Sequence, residues 1–313
     1  MSPVGIPGRF VDGAQEGENQ GWRYVLSLVV IPVGYVGLGL AVILLMSVLH
    51  GLLAEVFPGE FSSLPLFGFY DSSEDWQTAP TLTGVMLFAG YLGSIIVAIP
   101  LLYIVVRFIH RRSLGSLMAP PGHAFDWSLF RHSLLAAMIS LTIVGAAEYV
   151  LLGDRAELVF EWSKFRWYLP VAIVLVPLQV CAEELMFRGY LLQAVAVFTS
   201  RRWLRIGLPA VIFALMHLGS QDVRATQGTA LIIFLVYGIY LTWFAVRTDG
   251  LAGTMGLHLA INLFALLIIS SNLSKYLSPT VWRFDAVDTW MMPLDIIAVL
   301  AIFHGLMRRW HRV

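Results

Sequence analysis

The sequence predicts an all-α fold, a polytopic transmembrane helical bundle of about eight spans with cytoplasmic N- and C-termini. Three observations predict it. Hydrophobic residues make up 58% of the 313 residues and charged residues only 13%, against about 25% charged residues in soluble proteins. Apolar runs recur at roughly the length that crosses a bilayer. Arginines collect in alternate connections between these runs, as short cytoplasmic loops do.

Eight segments approach the roughly 20 apolar residues that a helix needs to cross about 30 Å of hydrocarbon. The fifth is short, and we expect it to be tilted or partly re-entrant, with its backbone ends covered by other protein. The apolar run after Arg23 is longer than a signal-peptide core, so we expect it to be retained as a span. The predicted spans are residues 24–49, 81–106, 133–153, 168–195, 206–219, 228–246, 251–270 and 291–307.

The distribution of basic residues predicts the orientation of the bundle. With the N-terminus inside, 13 of the 20 basic residues fall on the cytoplasmic side, which is the side that retains positive charge. The loop at 50–80 holds five acidic residues and no Lys or Arg, as expected of an external loop. The cytoplasmic set is Arg9, Arg23, Arg107, Arg111, Arg112, Arg131, Arg201, Arg202, Arg205, Arg247, Arg308, Arg309 and Arg312.

The fourth predicted span contains charged residues that need an explanation. Ionisable groups at membrane depth cost at least about 2.5 to 3.5 kcal/mol each on insertion scales. Glu184 and Arg188 are four residues apart, so they share one helix face and can form an ion pair that offsets much of this cost. Glu183 points about 100° away around the helix and is not paired by that spacing. An unpaired buried carboxylate of this kind suits a general base or acid.

Two further spans carry polar pairs at one-turn spacing. Phe213 lies one turn before His217, and His258 lies one turn before Asn262. An imidazole and a carboxamide that project together can donate hydrogen bonds to a developing oxyanion. Structural alternatives stay open for both pairs. His217 can be a satisfied packing residue, and His258 with Asn262 can form interhelical hydrogen bonds, which are worth about 1 kcal/mol in membrane bundles.

Taken together, the three motifs resemble a known family. The patterns Glu-Glu-x-x-x-Arg at 183–188, Phe-x-x-x-His at 213–217 and His-x-x-x-Asn at 258–262 follow one another on successive apolar segments. This order resembles the CPBP family of CAAX prenyl proteases and bacteriocin-processing enzymes. The resemblance covers residues 165–270, and the first 130 residues carry no motif of the family. It implies a helical intramembrane endopeptidase whose polar cavity opens to the membrane interface, in the plasma or inner membrane of a bacterium.

The resemblance also implies roles for six residues. Glu183 is expected to activate the attacking water and His217 to assist it. His258 and Asn262 are expected to stabilise the oxyanion, while Glu184 and Arg188 position the site. The implied partners are a peptide or lipidated-peptide substrate and membrane lipid. The 20 acidic and 20 basic residues balance, which gives no sign of a nucleic-acid partner.

With these roles, the chain is expected to divide into four regions. Residues 1–23 form a cytoplasmic N-terminal tail, and 24–132 hold N-terminal spans and loops without an assigned role. Residues 133–307 form the catalytic helical core, with the motifs within 165–270, and 308–313 form a basic C-terminal tail.

The residues leave several alternatives open. No cofactor is required by the favoured mechanism, but the carboxylate of Glu183 and the imidazoles of His217 and His258 are also a ligand set of catalytic zinc. The zinc motif His-Glu-x-x-His is absent from the sequence. A transport protein would use buried Glu, His and Arg as a proton relay, and an immunity protein would keep the fold without activity. Cys181 is expected to be a packing residue and not a nucleophile.

Overall fold

The computed structural model describes residues 10–61, 80–219, 223, 226, 228–271, 279–284 and 292–311. Helices dominate these residues, which confirms the predicted helical bundle. Ten α-helices are described, and they are α1 (Gly21–Val56), α2 (Thr81–Ile96), α3 (Ala98–Ile104), α4 (Trp127–Leu152), α5 (Trp162–Glu184), α6 (Leu192–Phe198), α7 (Arg202–Leu215), α8 (Thr229–Arg247), α9 (Ala252–Leu267) and α10 (Met292–His311).

Short turns of other helix types join several of these elements. A π-helical turn at Val105–Ile109 extends α3, and another at Leu185–Leu191 connects α5 to α6. Turns of 3-10 helix occupy Val11–Glu16, Leu114–Leu117 and Gly153–Arg155. Each predicted span overlaps one helix or one run of joined helices among the described residues.

Five helical segments among the described residues are long and apolar enough to cross a membrane. They are Gly21–Val56, Thr81–Ile109, Trp127–Leu151, Trp162–Phe198 and Thr229–Arg247. Helix α7 has only 14 residues, a rise of about 21 Å at 1.5 Å per residue, which is less than the hydrocarbon thickness. The predicted fifth span is thus short, as expected, and residues 216–219 at its end form turns.

A small sheet at one end of the bundle was not predicted. Strands β1 (Ala156–Leu158), β2 (Ile269–Ser271) and β3 (Trp282–Phe284) have three residues each. The central strand β3 pairs antiparallel with β1 and parallel with β2. Strands this short show no alternating pattern in the sequence. The sheet ties together the segments that follow α4 and α9.

Close packing of α9 places it in the interior of the bundle. A Cβ atom at Gly256 would lie 2.4 Å from the carbonyl oxygen of Phe130 and 2.9 Å from the backbone nitrogen of Leu134. Only glycine permits this approach of α9 to α4. Residues 251–260 are all buried as a result. Helix α9 also packs against α5, which brings the third motif to the first.

From Phe10 onward, the described part of the N-terminal region is packed on the bundle. The backbone N–H of Phe10 donates to Asp249 Oδ1 at 2.8 Å, and its carbonyl accepts from Gln193 Nε2 at 3.0 Å. The carboxylate of Glu18 pairs with Arg23 and, at 2.9 Å, with Arg111. These contacts anchor the segment to the ends of α1, α3 and α8.

His110, which follows the second membrane span, connects this segment to the bundle interior. Its buried ring places Nδ1 3.2 Å from the carbonyl oxygen of Glu18, and Nε2 lies 3.0 Å from Tyr190 Oη and 3.2 Å from Ser27 Oγ. Because a carbonyl oxygen only accepts, Nδ1 carries the hydrogen and Nε2 accepts from a hydroxyl. Burial lowers the pKa of His110, and the positive charge of Arg112 lowers it further.

This environment predicts a pH-dependent attachment of the N-terminal segment. His110 is neutral in the folded and unfolded states above its unfolded pKa of about 6.5, so stability is constant there. Below that pH the unfolded state binds the proton more readily than the folded state. The free energy of unfolding therefore decreases as the pH falls from about 6.5 to the lower pKa of the folded state. We expect residues 10–20 to exchange amide hydrogen faster at pH 5.5 than at pH 7.5, after correction for intrinsic exchange rates. The measurement is hydrogen–deuterium exchange mass spectrometry.

The variant His110→Asn is the matched control. Its amide can still donate to the carbonyl of Glu18 but does not titrate in this range. Equal pH dependence in the variant and the unsubstituted protein would contradict the role of His110.

Candidate active site

The first motif lies at the junction of α5 with a π-helical turn. Glu183 and Glu184 are the last residues of α5, and Arg188 lies within the turn Leu185–Leu191. Single π-turns inside α-helices are frequent at functional sites. Arg188 Nη1 donates to Glu184 Oε1 at 2.9 Å, and both side chains have 0% exposure. The ion pair predicted from the four-residue spacing is confirmed.

Phe213 stabilises the charge of Arg188. The guanidinium carbon lies 4.3 Å from the centroid of the Phe213 ring, close enough for a cation–π contact. Two of the Arg188 nitrogens, Nε and Nη2, have no hydrogen-bond partner among the described residues. The face of the Phe213 ring therefore offsets part of the cost of burying the Arg188 charge, which hydrogen bonds offset only incompletely. This link between the first two motifs was not predicted, because it joins residues of different helices.

His258 lies between the two glutamates. Its Nδ1 is 2.8 Å from Glu184 Oε1, and its Nε2 is 3.5 Å from Glu183 Oε2. An ionised carboxylate only accepts, so Nδ1 carries a hydrogen and donates to Glu184. That bond directs Nε2 towards Glu183, at a distance slightly beyond an ordinary hydrogen bond. The ring edge of Tyr237 packs against the imidazole, with centroids 5.5 Å apart, and restricts its rotation.

Asn262 contacts α5 one turn before the glutamate pair. Its Nδ2 donates to Gln179 Oε1 at 2.9 Å. One of its two amide hydrogens is thereby used within the protein. His258 likewise uses Nδ1 for Glu184. The oxyanion role of His258 and Asn262 stays a prediction, since the observed contacts of both residues are with side chains of α5.

His217 lies in the turn that follows α7. Its Nδ1 is 2.8 Å from the carbonyl oxygen of Phe213, so the hydrogen resides on Nδ1 and a neutral ring has its lone pair on Nε2. The ring stacks on Phe234, with centroids 3.9 Å apart and planes at 21°. The hydrogen bond and the stacking contact fix the ring and leave Nε2 as a proton acceptor.

A cavity of about 530 Å³ joins Glu183 to His217. Both residues line it, and Glu183 is 14% exposed. His258 and Asn262 are not among its lining residues. Other parts of the wall come from α1 and from the α2–α3 segment, which contribute Tyr35 and Ser94. These walls lie in the region that carries no family motif. The sequence signal that could have identified Tyr35 and Ser94 is that they are polar residues within strongly apolar spans.

The described residues, as placed, do not form a metal site. No group of three or more His, Cys, Asp and Glu side chains among them is arranged to hold a metal ion. Of the three candidate ligands, His258 contacts Glu183 directly, whereas the described contacts of His217 are with the Phe213 carbonyl and nearby aromatic rings. Cys181 packs against an apolar cluster and does not line the cavity, in agreement with its predicted packing role.

Fold and site together define a helical membrane protein with a carboxylate and an imidazole in one cavity. Residues 164–264 match the profile of the family described as Type II CAAX prenyl endopeptidase Rce1-like. The matched segment contains all six motif residues, and the match confirms the resemblance to the CPBP family of intramembrane proteases. The matched segment is thus similar to CAAX-type endopeptidases, which hydrolyse peptide bonds.

One curated relative extends the similarity beyond the matched segment. The chain is 27% identical over 226 residues to the "Uncharacterized protein YyaK" of Bacillus subtilis (strain 168). The aligned residues make up 71% of this chain and 75% of the relative. No solved structure matches the chain.

The buried ion pair predicts a large effect of removing one partner. Arg188→Met leaves the carboxylate of Glu184 buried without its counter-charge, which typically costs about 3 to 5 kcal/mol. The double variant with Glu184→Gln removes both charges and is expected to recover part of this loss. The measurement is the free energy of unfolding in detergent micelles, followed by intrinsic fluorescence.

Arg201→Met is the matched control, because Arg201 is exposed at the start of α7. We expect its effect to stay within about 0.5 kcal/mol. Equal stability of the Arg188→Met and Arg201→Met variants would show that the buried pair does not stabilise the bundle.

Proposed function

We propose that the protein is a glutamate-dependent intramembrane endopeptidase that hydrolyses a peptide bond with an activated water. The observation that carries this is the placement of Glu183. Its carboxylate is partly exposed in the cavity that His217 also lines, and Nε2 of His258 lies 3.5 Å from Glu183 Oε2. A carboxylate in a mostly apolar cavity, held next to imidazoles, is suited to general base catalysis.

Hydrolysis then proceeds without a covalent enzyme intermediate. Glu183 takes one hydrogen of a water molecule while Nε2 of His217 accepts a hydrogen bond from the other and orients it. The water oxygen attacks the scissile carbonyl carbon, and its electron pair forms the new C–O bond. When the C–N bond breaks, the proton held by Glu183 passes to the leaving nitrogen. The products are a carboxyl group and an amine, and one water is consumed.

His258 connects Glu183 to the buried ion pair. Once Glu183 is protonated, it can share this proton with Nε2 of His258. The resulting imidazolium is stabilised by the ionised Glu184, which already accepts the hydrogen of Nδ1 at 2.8 Å. The family resemblance assigns the oxyanion to His258 and Asn262, and neither side chain lines the cavity in this structure.

The substrate that we propose is a membrane-associated peptide, either prenylated or a leader peptide. The description of the matched family names CAAX prenyl endopeptidases. Apolar side chains such as Ile31, Met186 and Phe187 line the cavity around the polar groups, which supports a substrate with an apolar portion.

A zinc-dependent variant of the reaction remains the alternative mechanism. Loss of activity with a chelator, restored by zinc alone, would favour it.

Glu183→Gln is expected to abolish processing. The amide keeps the size of the side chain but cannot accept the proton, and general base catalysis typically contributes about 10² to 10⁴ in rate. Mass spectrometry of peptides from the membranes and medium of cells is the measurement. We expect an unprocessed precursor to accumulate with Glu183→Gln and to be absent with the unsubstituted protein.

Glu161→Gln serves as the matched control. Glu161 precedes α5, and its side chain is 54% exposed. It does not line the cavity. Identical peptide profiles for Glu183→Gln and Glu161→Gln would contradict the proposed protease. Proton or solute flux in reconstituted vesicles that depends on Glu183 would point to a transporter in its place.

A further inference from the structure

The hydroxyl groups that line the cavity are mostly committed to the protein. Ser27 Oγ donates to the carbonyl oxygen of Arg23 at 2.8 Å, and Tyr190 Oη lies 3.0 Å from Nε2 of His110. Ser94 Oγ donates to a backbone carbonyl of its own helix at 2.7 Å. These hydrogens are not free to bind a substrate carbonyl.

Tyr35 differs from these lining residues. It lines the cavity from α1, and its hydroxyl makes no hydrogen bond within the described part of the chain. Glu183 lines the same cavity from α5. A phenol keeps its hydrogen at neutral pH and therefore offers a donor.

The ring of Tyr35 is held by packing. It packs against the buried cluster of Ile95, Ala98 and Ala182. Ala182 directly precedes Glu183 on α5, so this contact ties the position of the phenol to that of the carboxylate. A donor fixed by packing loses little freedom when a substrate binds, which is the condition for electrostatic stabilisation of a transition state.

We propose that Tyr35 is a further catalytic residue, whose hydroxyl donates a hydrogen bond to the carbonyl oxygen of the scissile peptide bond. This oxygen gains negative charge as water attacks the carbonyl carbon, so the bond strengthens in the transition state. Tyr35 reaches the cavity from α1, whereas Glu183 and His217 reach it from α5 and from the turn after α7. The role assigned to Tyr35 rests on the proposed function and assigns a catalytic group to the N-terminal region, where no family motif occurs.

Tyr35→Phe tests this role, since it removes the hydroxyl and keeps the ring. The full-length protein in lipid nanodiscs is given an S-farnesylated peptide that ends in Cys-a-a-X, and product release is followed by mass spectrometry. We expect kcat to fall about 100-fold, the lower range for loss of one oxyanion donor, with KM changed less than about twofold.

A transition-state analogue separates catalysis from structure. A peptide aldehyde, whose hydrate resembles the tetrahedral intermediate, is expected to bind Tyr35→Phe more weakly by a factor similar to the loss in kcat/KM. Affinity for the intact peptide, measured in the Glu183→Gln background, is expected to be unchanged by Tyr35→Phe. Tyr103→Phe is the control, because Tyr103 is 47% exposed on α3 and does not line the cavity.

Several results would overturn the role of Tyr35. They are an unchanged kcat in Tyr35→Phe, a lower unfolding midpoint that accounts for the loss of activity, or a loss of activity produced by Tyr91→Phe while Tyr35→Phe stays active.

The two variants also show which proposal fails. If Tyr35→Phe is active and Glu183→Gln is inactive, only the inference about Tyr35 fails. If Glu183→Gln is active, the proposed function itself fails. Should the unsubstituted protein leave the farnesylated peptide intact, the prenylated substrate class is wrong, and the precursor that accumulates with Glu183→Gln becomes the probe.

Discussion

A carboxylate and a guanidinium buried together determine the arrangement of the site. Glu184 and Arg188 are both fully buried, with 2.9 Å between their charged atoms. Within a bilayer no water is present to solvate either group alone, so each depends on the other. The same oxygen of Glu184 accepts the hydrogen of His258 Nδ1. The ion pair therefore orients the imidazole, and the imidazole in turn places its second nitrogen against Glu183.

Two parts of the chain meet at the cavity, and each supplies a different component. The family-matched segment 164–264 contributes Glu183, His217 and the network behind them. The helices before it contribute further lining residues, including Tyr35. Under the proposed function, acid–base chemistry belongs to the first part, and contact with the substrate carbonyl is shared with the second.

Local relations could be predicted from the sequence, and relations between distant helices could not. The pairing of Glu184 with Arg188 follows from four-residue spacing within one helix. The contact of His258 with Glu184 joins residues 74 positions apart, and that of Asn262 with Gln179 joins residues 83 apart. No spacing rule connects residues so far apart in the chain. From the sequence, His258 and Asn262 are therefore related only to each other, by their one-turn spacing along α9. The three-residue strands were missed for a related reason, because their pairing partners lie far along the chain.

The most direct test of this arrangement is an electron cryo-microscopy structure of the full-length protein in lipid nanodiscs, at a resolution that shows side chains. We expect Arg188 and His258 to lie within hydrogen-bond distance of the same carboxylate, and we expect Glu183 to face a water-filled cavity with His217. A structure in which Glu183 faces lipid, or lies more than about 10 Å from both histidines and so beyond reach even through one water, would contradict the site described for this protein.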